Sequence, residues 1–257
     1  MSMPERLRIA LRATRLLLHL GLGLLTAAAV RIDISGRLRP EPIARRWFMG
    51  LLAILGIRLI VHGEALRKPR LTAANHISWL DIAVLAACEE TRFIAKSEIR
   101  DWPIAGWLAN AAGTFYIRRG KGGARPLAEK LVPHLAAGGS VVLFPEGTTT
   151  DGRDVRSFHA RLFSAPIEAD VWVQPVALRY GPGRAGRQVA PFIGDDDLVR
   201  HILRLLREPT LTVEVRYCAP IRARGYDRDT LAQHAQAAVR TALGLPPLQT
   251  AAPALAA

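Results

Sequence analysis

An α/β domain with a mixed β-sheet flanked by helices, preceded by two membrane-associated helices, is the fold class that the sequence predicts. Three observations carry that prediction. From residue 58 onward, short apolar stretches alternate with helix-patterned ones, as in a layered α/β domain. Before them lie two apolar runs, Leu16 to Val30 and Trp47 to Ile57, with arginines around both. The 257 residues are 50% hydrophobic yet 22% charged, which suits one sizeable core with appendages rather than a chain of membrane spans.

The first run follows Arg6, Arg8, Arg12 and Arg15. It admits three readings: a cleaved signal ending at Ala27 and Ala29, a single span, or a helix lying in one leaflet. Basic residues follow it too, at Arg31, Arg37, Arg39, Arg45 and Arg46, and charge on both flanks opposes translocating either side. The leaflet reading is favoured, with the basic ends on anionic head groups. Strands are then expected at 58–62, 71–75, 91–95, 114–117, 140–144, 171–178 and 211–216. Helices are expected at 79–86, 103–111, 124–137, 196–207 and 228–242. Gly138-Gly139 and Pro209 stop the third and fourth of these helices. Residues 181–187 read as a flexible basic loop, and the Ala/Pro-rich tail after Pro246 as poorly ordered. The expected division is 1–57 for the apolar and basic helices, 58–222 for the α/β domain, and 223–257 for a last helix and tail.

A formal charge of +13 favours anionic partners: nucleic acid, an acidic lipid surface, or an acidic protein or cofactor. The arginines are dispersed, and densest beside the apolar runs rather than interleaved with aromatics, which argues against nucleic acid. Cys88 and Cys218 have no metal or disulfide spacing and read as reduced core thiols. There is no P-loop and no GxSxG, and Gly120-Lys121-Gly122-Gly123 lacks the rest of a phosphate cradle.

Four constellations carry chemistry. Asn75-His76-Ile77-Ser78-Trp79-Leu80-Asp81 sits where a strand gives way to a helix, a place where α/β domains display reactive side chains. His76 and Asp81 cannot share a helix face, so they meet only across a turn, for which Ser78 is a plausible cap. A carboxylate on one imidazole nitrogen fixes the tautomer and supports charge as the other takes a proton. That describes a base whose nucleophile is a substrate hydroxyl. The bland alternative is a structural His–Asp pair at a helix start. Next, Gly113 to Arg119 runs a strand into two arginines, a fork suited to phosphate or carboxylate, or simply a solvated strand end. Then Val141 to Thr150 ends an apolar strand in Pro145-Glu146-Gly147, a turn that presents the Gly147 and Thr148 amides and the Glu146 carboxylate. Last, Val173-Gln174-Pro175-Val176 is apolar with one proline, and equally an edge strand.

In this order the four resemble the glycerolipid acyltransferase family, which includes 1-acyl-glycerol-3-phosphate acyltransferase and shows NHxSxxD, GxxFIxR, FPEGTRS and late apolar-proline blocks. The resemblance implies a glycerol-3-phosphate acyltransferase-like domain at the cytoplasmic face of the inner membrane, with His76 as base and Asp81 as its orienter. It also implies that Arg119, Glu146 and Gly147 line the acceptor site, beside Ser78 and Thr148. No metal or bound cofactor is implied. The expected reaction passes a fatty acyl group from acyl-coenzyme A or acyl carrier protein to a lysolipid hydroxyl, most simply 1-acyl-sn-glycerol-3-phosphate. A loop amide or Ser78 would polarise the thioester carbonyl. Thr149 stands where the family carries arginine, which weakens a phosphate-bearing acceptor. The stretch Phe144 to Gly152 is also similar to members that acylate lyso-ornithine lipid, whose amine Glu146 or Asp151 would meet. The non-enzyme rival is a basic membrane-binding module.

Overall fold

The computed structural model describes residues 3–35, 37–118 and 124–247. Two long helices come first, α1 (Met3–Ile32) and α2 (Pro40–Leu55). They are followed by β1 (Ile57–His62), β2 (Arg70–Ala74), α3 (Leu80–Cys88), β3 (Arg92–Lys96), α4 (Ala105–Ala111), β4 (Phe115–Ile117) and α5 (Ala124–Ala136). The chain continues through β5 (Ser140–Leu143), α6 (Ser164–Glu168), β6 (Trp172–Tyr180), α7 (Leu198–Arg207), β7 (Leu211–Tyr217), β8 (Ile221–Arg222) and α8 (Arg228–Ala242). Among the described residues the strands form one sheet in the order β1-β7-β6-β2-β5-β3-β4, with β8 on β6. It is mixed, as expected: β2 runs parallel to β5 and β6, while β7 and β8 run antiparallel to β6.

Every residue of β2 is buried, since helices cover both faces of the sheet. One core lies against α2, α3 and α7 around Leu80, Leu85 and Leu205, the other against α5 and α8 around Leu131, Leu135 and Leu231. Truncating one of these fully buried leucines to alanine costs about 2–5 kcal/mol. Leu51, Leu52, Ile54 and Leu55 of α2 belong to the first core, so packing continues across the expected boundary near residue 57. His201 is also buried there: it accepts from Trp79 Nε1 at 2.9 Å and contacts the Ala190 carbonyl at 3.1 Å.

Several elements differ from expectation. Helix α1 extends well before Leu16 because arginine is a good helix former and two arginines find partners. Arg8 donates to the Arg207 carbonyl, and Arg12 to those of Glu208 and Pro209. The stretch Glu5–Ile32, 28 residues, is long and apolar enough to cross a bilayer, which Leu16 to Val30 alone is not. Segment 181–187 is not loose: the Gly183 amide donates to the Arg187 carbonyl at 2.8 Å, and the Arg184 amide to Glu208 at 2.6 Å. Strand β6 runs on to Tyr180, and β8, α6 and the 3₁₀ turns Ser97–Asp101 and Ala160–Phe163 carry no sequence signal strong enough to announce them. The Ala/Pro-rich tail beyond residue 247 and the glycines at 120, 122 and 123 lie outside the described residues.

Candidate active site

Strands β2, β5 and β6 are parallel, so their C-terminal ends open on one edge of the sheet. Asn75 closes β2 there. Its side-chain amide donates to the Leu178 carbonyl at 3.0 Å and accepts from the Leu178 amide at 2.7 Å, locking the strand end to β6. The chain then turns through His76, Ile77 and Ser78 into α3, and Asp81 in the first helical turn gathers the turn around its carboxylate. One oxygen accepts from the Ile77 amide at 2.6 Å, the Ser78 amide at 2.9 Å and His76 Nδ1 at 2.8 Å. The other accepts from the Tyr180 hydroxyl at 2.7 Å. Asp81 is fully buried, whereas the His76 side chain keeps 17% exposure.

A carboxylate only accepts, so Nδ1 of His76 carries the hydrogen and Nε2 holds the lone pair. The imidazole lies flat on Phe144, with ring centroids 4.1 Å apart and planes within 13°. An imidazole oriented on one side, stacked on a second and open on a third can take a proton from a hydroxyl brought to Nε2.

The loop after β5 forms the opposite wall. Gly147 turns the chain at φ 70°, in the left-handed region where a side chain would be strained, and a Cβ there would sit 3.1 Å from the exposed His159 ring. Glu146 precedes it, 4% exposed, and differs from expectation. One of its oxygens accepts from the His76 amide at 2.7 Å, the other from the Arg156 amide at 2.8 Å. Both oxygens therefore brace backbone, a role that the expectation of a ligand-facing carboxylate did not include. Burial pushes it up to about 6, against the pull of the Arg156 and His76 amides. Thr150 completes the latch: its amide and hydroxyl donate to the His76 carbonyl at 2.8 and 3.1 Å.

Of the residues expected at the site, His76, Asp81, Glu146, Gly147 and Thr148 come together. Ser78 is in the same turn but fully buried, its Oγ accepting from the Leu80 amide at 3.3 Å, so it serves the turn rather than an open face. Arg118 follows β4, which is separated from β2 by β5 and β3. At a strand spacing of ~4.8 Å, that puts the two strands about 14 Å apart. Arg119 lies outside the described residues. Tyr180 escaped sequence reading. Its signal was the period-2 pattern Val176, Leu178, Tyr180, three residues of β6 that share the core of α3. Beside Ile77 and Tyr180 opens a cleft of about 310 Å³, whose polar lining includes Asp151, Arg153, Arg179 and Gln188. Among the described residues no group of His, Cys, Asp and Glu is arranged to hold a metal ion.

The sequence model of the acyltransferase family matches residues 58–179. The lyso-ornithine lipid O-acyltransferase of Pseudomonas aeruginosa is 46% identical over 244 residues, covering 93% of this chain and 94% of that protein. The 1-acyl-sn-glycerol-3-phosphate acyltransferase of Neisseria meningitidis serogroup B is 35% identical over 195 residues, covering 74% of this chain and 76% of its own length. Among solved structures, the 1-acyl-sn-glycerophosphate acyltransferase PlsC of Thermotoga maritima matches with a TM-score of 0.59 over 91% of this chain and 96% of that one. At 22% identity, that is a likeness of fold.

Proposed function

The chain belongs to the PlsC-like glycerolipid acyltransferase family and is an acyltransferase; on that premise we propose that it passes a fatty acyl group from a carrier thioester to the hydroxyl of lyso-ornithine lipid. The observation that carries the acceptor is the 46% identity, over nearly both full lengths, to a relative with that name. The first expectation from sequence, 1-acyl-sn-glycerol-3-phosphate, is the weaker reading, because the relative named for it stands at 35% over three-quarters of the chain. Thr149 in place of the family's arginine points the same way.

In the proposed reaction His76 Nε2 removes the proton from the acceptor hydroxyl as its oxygen attacks the thioester carbonyl. Asp81 stabilises the imidazolium that forms. The tetrahedral intermediate expels the carrier thiolate, which takes the proton back from His76, leaving an ester and a free thiol. Base catalysis of this kind contributes roughly 10²–10⁴ in rate, and positioning supplies much of the rest. With Ser78 buried and the Gly147 amide, against expectation, donating to the Phe144 carbonyl at 3.1 Å, polarising the carbonyl falls to the Thr148 amide. The thiol carrier is coenzyme A or acyl carrier protein.

The membrane is the proposed place of work. Helix α1 is docked along its length: Arg8 and Arg12 reach the end of α7, His19 stacks on Trp47 of α2 at 4.9 Å, and Ala27 and Val30 border Trp107 of α4. A helix held flat in this way suits one leaflet better than a crossing. Leu7, Leu11, Leu18, Leu22 and Leu25 form its exposed stripe, and Trp102 and Ile104 beside α4 are exposed too. Replacing Leu18 and Leu22 by glutamate should release the protein from anionic vesicles while leaving its unfolding midpoint unchanged. Retained co-sedimentation would remove α1 from the membrane.

The acceptor is tested by incubating purified protein with lyso-ornithine lipid and lysophosphatidic acid in turn, each with both thioester donors, and identifying the products by mass spectrometry. Faster acylation of lysophosphatidic acid at subsaturating concentration would overturn the assignment.

A further inference from the structure

We propose that the cleft beside Ile77 is a head-group subsite for a zwitterion, with Asp151 facing the ammonium and Arg153 and Arg179 flanking the carboxylate. The proposal rests on the lyso-ornithine reading and adds the residues that would read the head group. Position is the first argument. Ile77, one wall, is the neighbour of His76; Tyr180, another, donates to Asp81; and Thr150, just before the Asp151–Arg153 rim, is bonded to the His76 carbonyl. A head group in the cleft therefore sits one residue away from the proposed base. The fit depends on Gly152, at φ 75°, where a Cβ would come within 2.8 Å of Ile77 Cδ1.

Charge is the second argument. The lining carries one carboxylate, two guanidinium groups and the Gln188 amide, and at about 310 Å³ it lies within the usual range of small-molecule sites. A phosphate monoester would gain from the arginines but meet a like charge at Asp151. Ornithine bears a carboxylate and an amine, and matches both signs. Asp151 keeps accepting capacity: among the described residues its oxygens meet only the Arg153 amide at 3.0 Å and, loosely, the Arg153 guanidinium at 3.7 Å. Arg179 donates to the Leu243 carbonyl and faces Glu214 across the β6–β7 pair, and its guanidinium has further donors beyond that one bond.

The test uses the full chain and three acceptors: lyso-ornithine lipid, the same lipid with its side-chain amine acetylated, and the same lipid with its carboxylate amidated. The unmodified enzyme should show an acceptor KM about tenfold higher for each neutralised lipid, the scale of one lost charge-assisted contact. Asp151→Asn, which preserves the turn geometry, should raise KM for lyso-ornithine lipid about tenfold and abolish discrimination against the acetylated lipid alone. Arg153→Gln combined with Arg179→Gln should abolish discrimination against the amidated lipid alone. Asn and Gln variants that discriminate as the unmodified enzyme does would overturn the subsite while the acceptor stands. Failure of the unmodified enzyme to acylate lyso-ornithine lipid at all would overturn the acceptor, and the subsite with it.

Discussion

Two buried carboxylates flank His76, and their surroundings differ in one respect. Asp81, in the first turn of α3, has four donors: an imidazole, two amides and a tyrosine hydroxyl. Glu146, in the loop after β5, has two amides. The first region is an anchor whose donors come from the turn after β2 and from β6; the second is a brace that burial drives towards protonation, up to about 6. The difference teaches that a buried acid's role follows from its donors rather than from its place in a motif.

The largest effect expected on this contrast comes from removing what Asp81 orients. His76→Ala should lower turnover at least about a thousandfold while the protein still folds, because the missing step is a proton transfer. A variant retaining a tenth of wild-type turnover would sink the base. Next is Asp81→Asn, which keeps the shape but sets an amide against donors that need an acceptor. A loss of roughly 10²–10⁴ in kcat is expected, read in the same assay with the acceptor saturating.

Glu146→Gln probes the other region through pH. A carboxyl raised from 4.5 to about 6 on folding contributes its full share of stability below 4.5, and loses it as pH rises through about 6. Glutamine does not titrate. Between pH 4.5 and 7 the stability gap should therefore move against the wild type, by about 2 kcal/mol at most. Urea unfolding of both proteins at the two pH values measures it, and a gap moving the other way would mean that the amides outweigh burial. Tyr180→Phe is the mildest, removing one donor of four. A three- to tenfold fall in kcat at unchanged donor KM is expected, about 1 kcal/mol for one typical hydrogen bond. Equal rates would show that Tyr180 only fills space.

Much of this was legible in the sequence because it is local. His76 and Asp81 are five residues apart, and a strand end, a turn and a helix start dictate their meeting. Strands β1 to β7 were readable from apolar periodicity to within about two residues, and β8 was not. Contacts across long separations were not. Tyr180 reaches Asp81 over 99 residues, and Glu146 reaches the His76 amide over 70. The period-2 pattern of β6 puts Tyr180 on the α3 face without naming Asp81 as its partner, and the motif suggested a ligand for Glu146 where the backbone holds it. Ser78 was expected as the helix cap, but Trp79 occupies that position without a side-chain bond, and the buried Ser78 hydroxyl accepts from the Leu80 amide within the turn. The α1 arginines looked like a flank for head groups, since composition cannot tell which side of a helix a charge faces.

That last point changes how ionic strength should act. Arg8 and Arg12 sit against the final carbonyls of α7 and the residues just after it, where the helix dipole is negative, so they already have counter-charges within the protein. Only Arg6 and Arg15 of that quartet face solvent. Fewer counterions are then displaced when the helix settles on a charged film than a +13 chain suggests. Salt should loosen that hold only gently, leaving the leucine stripe to set how long each visit lasts.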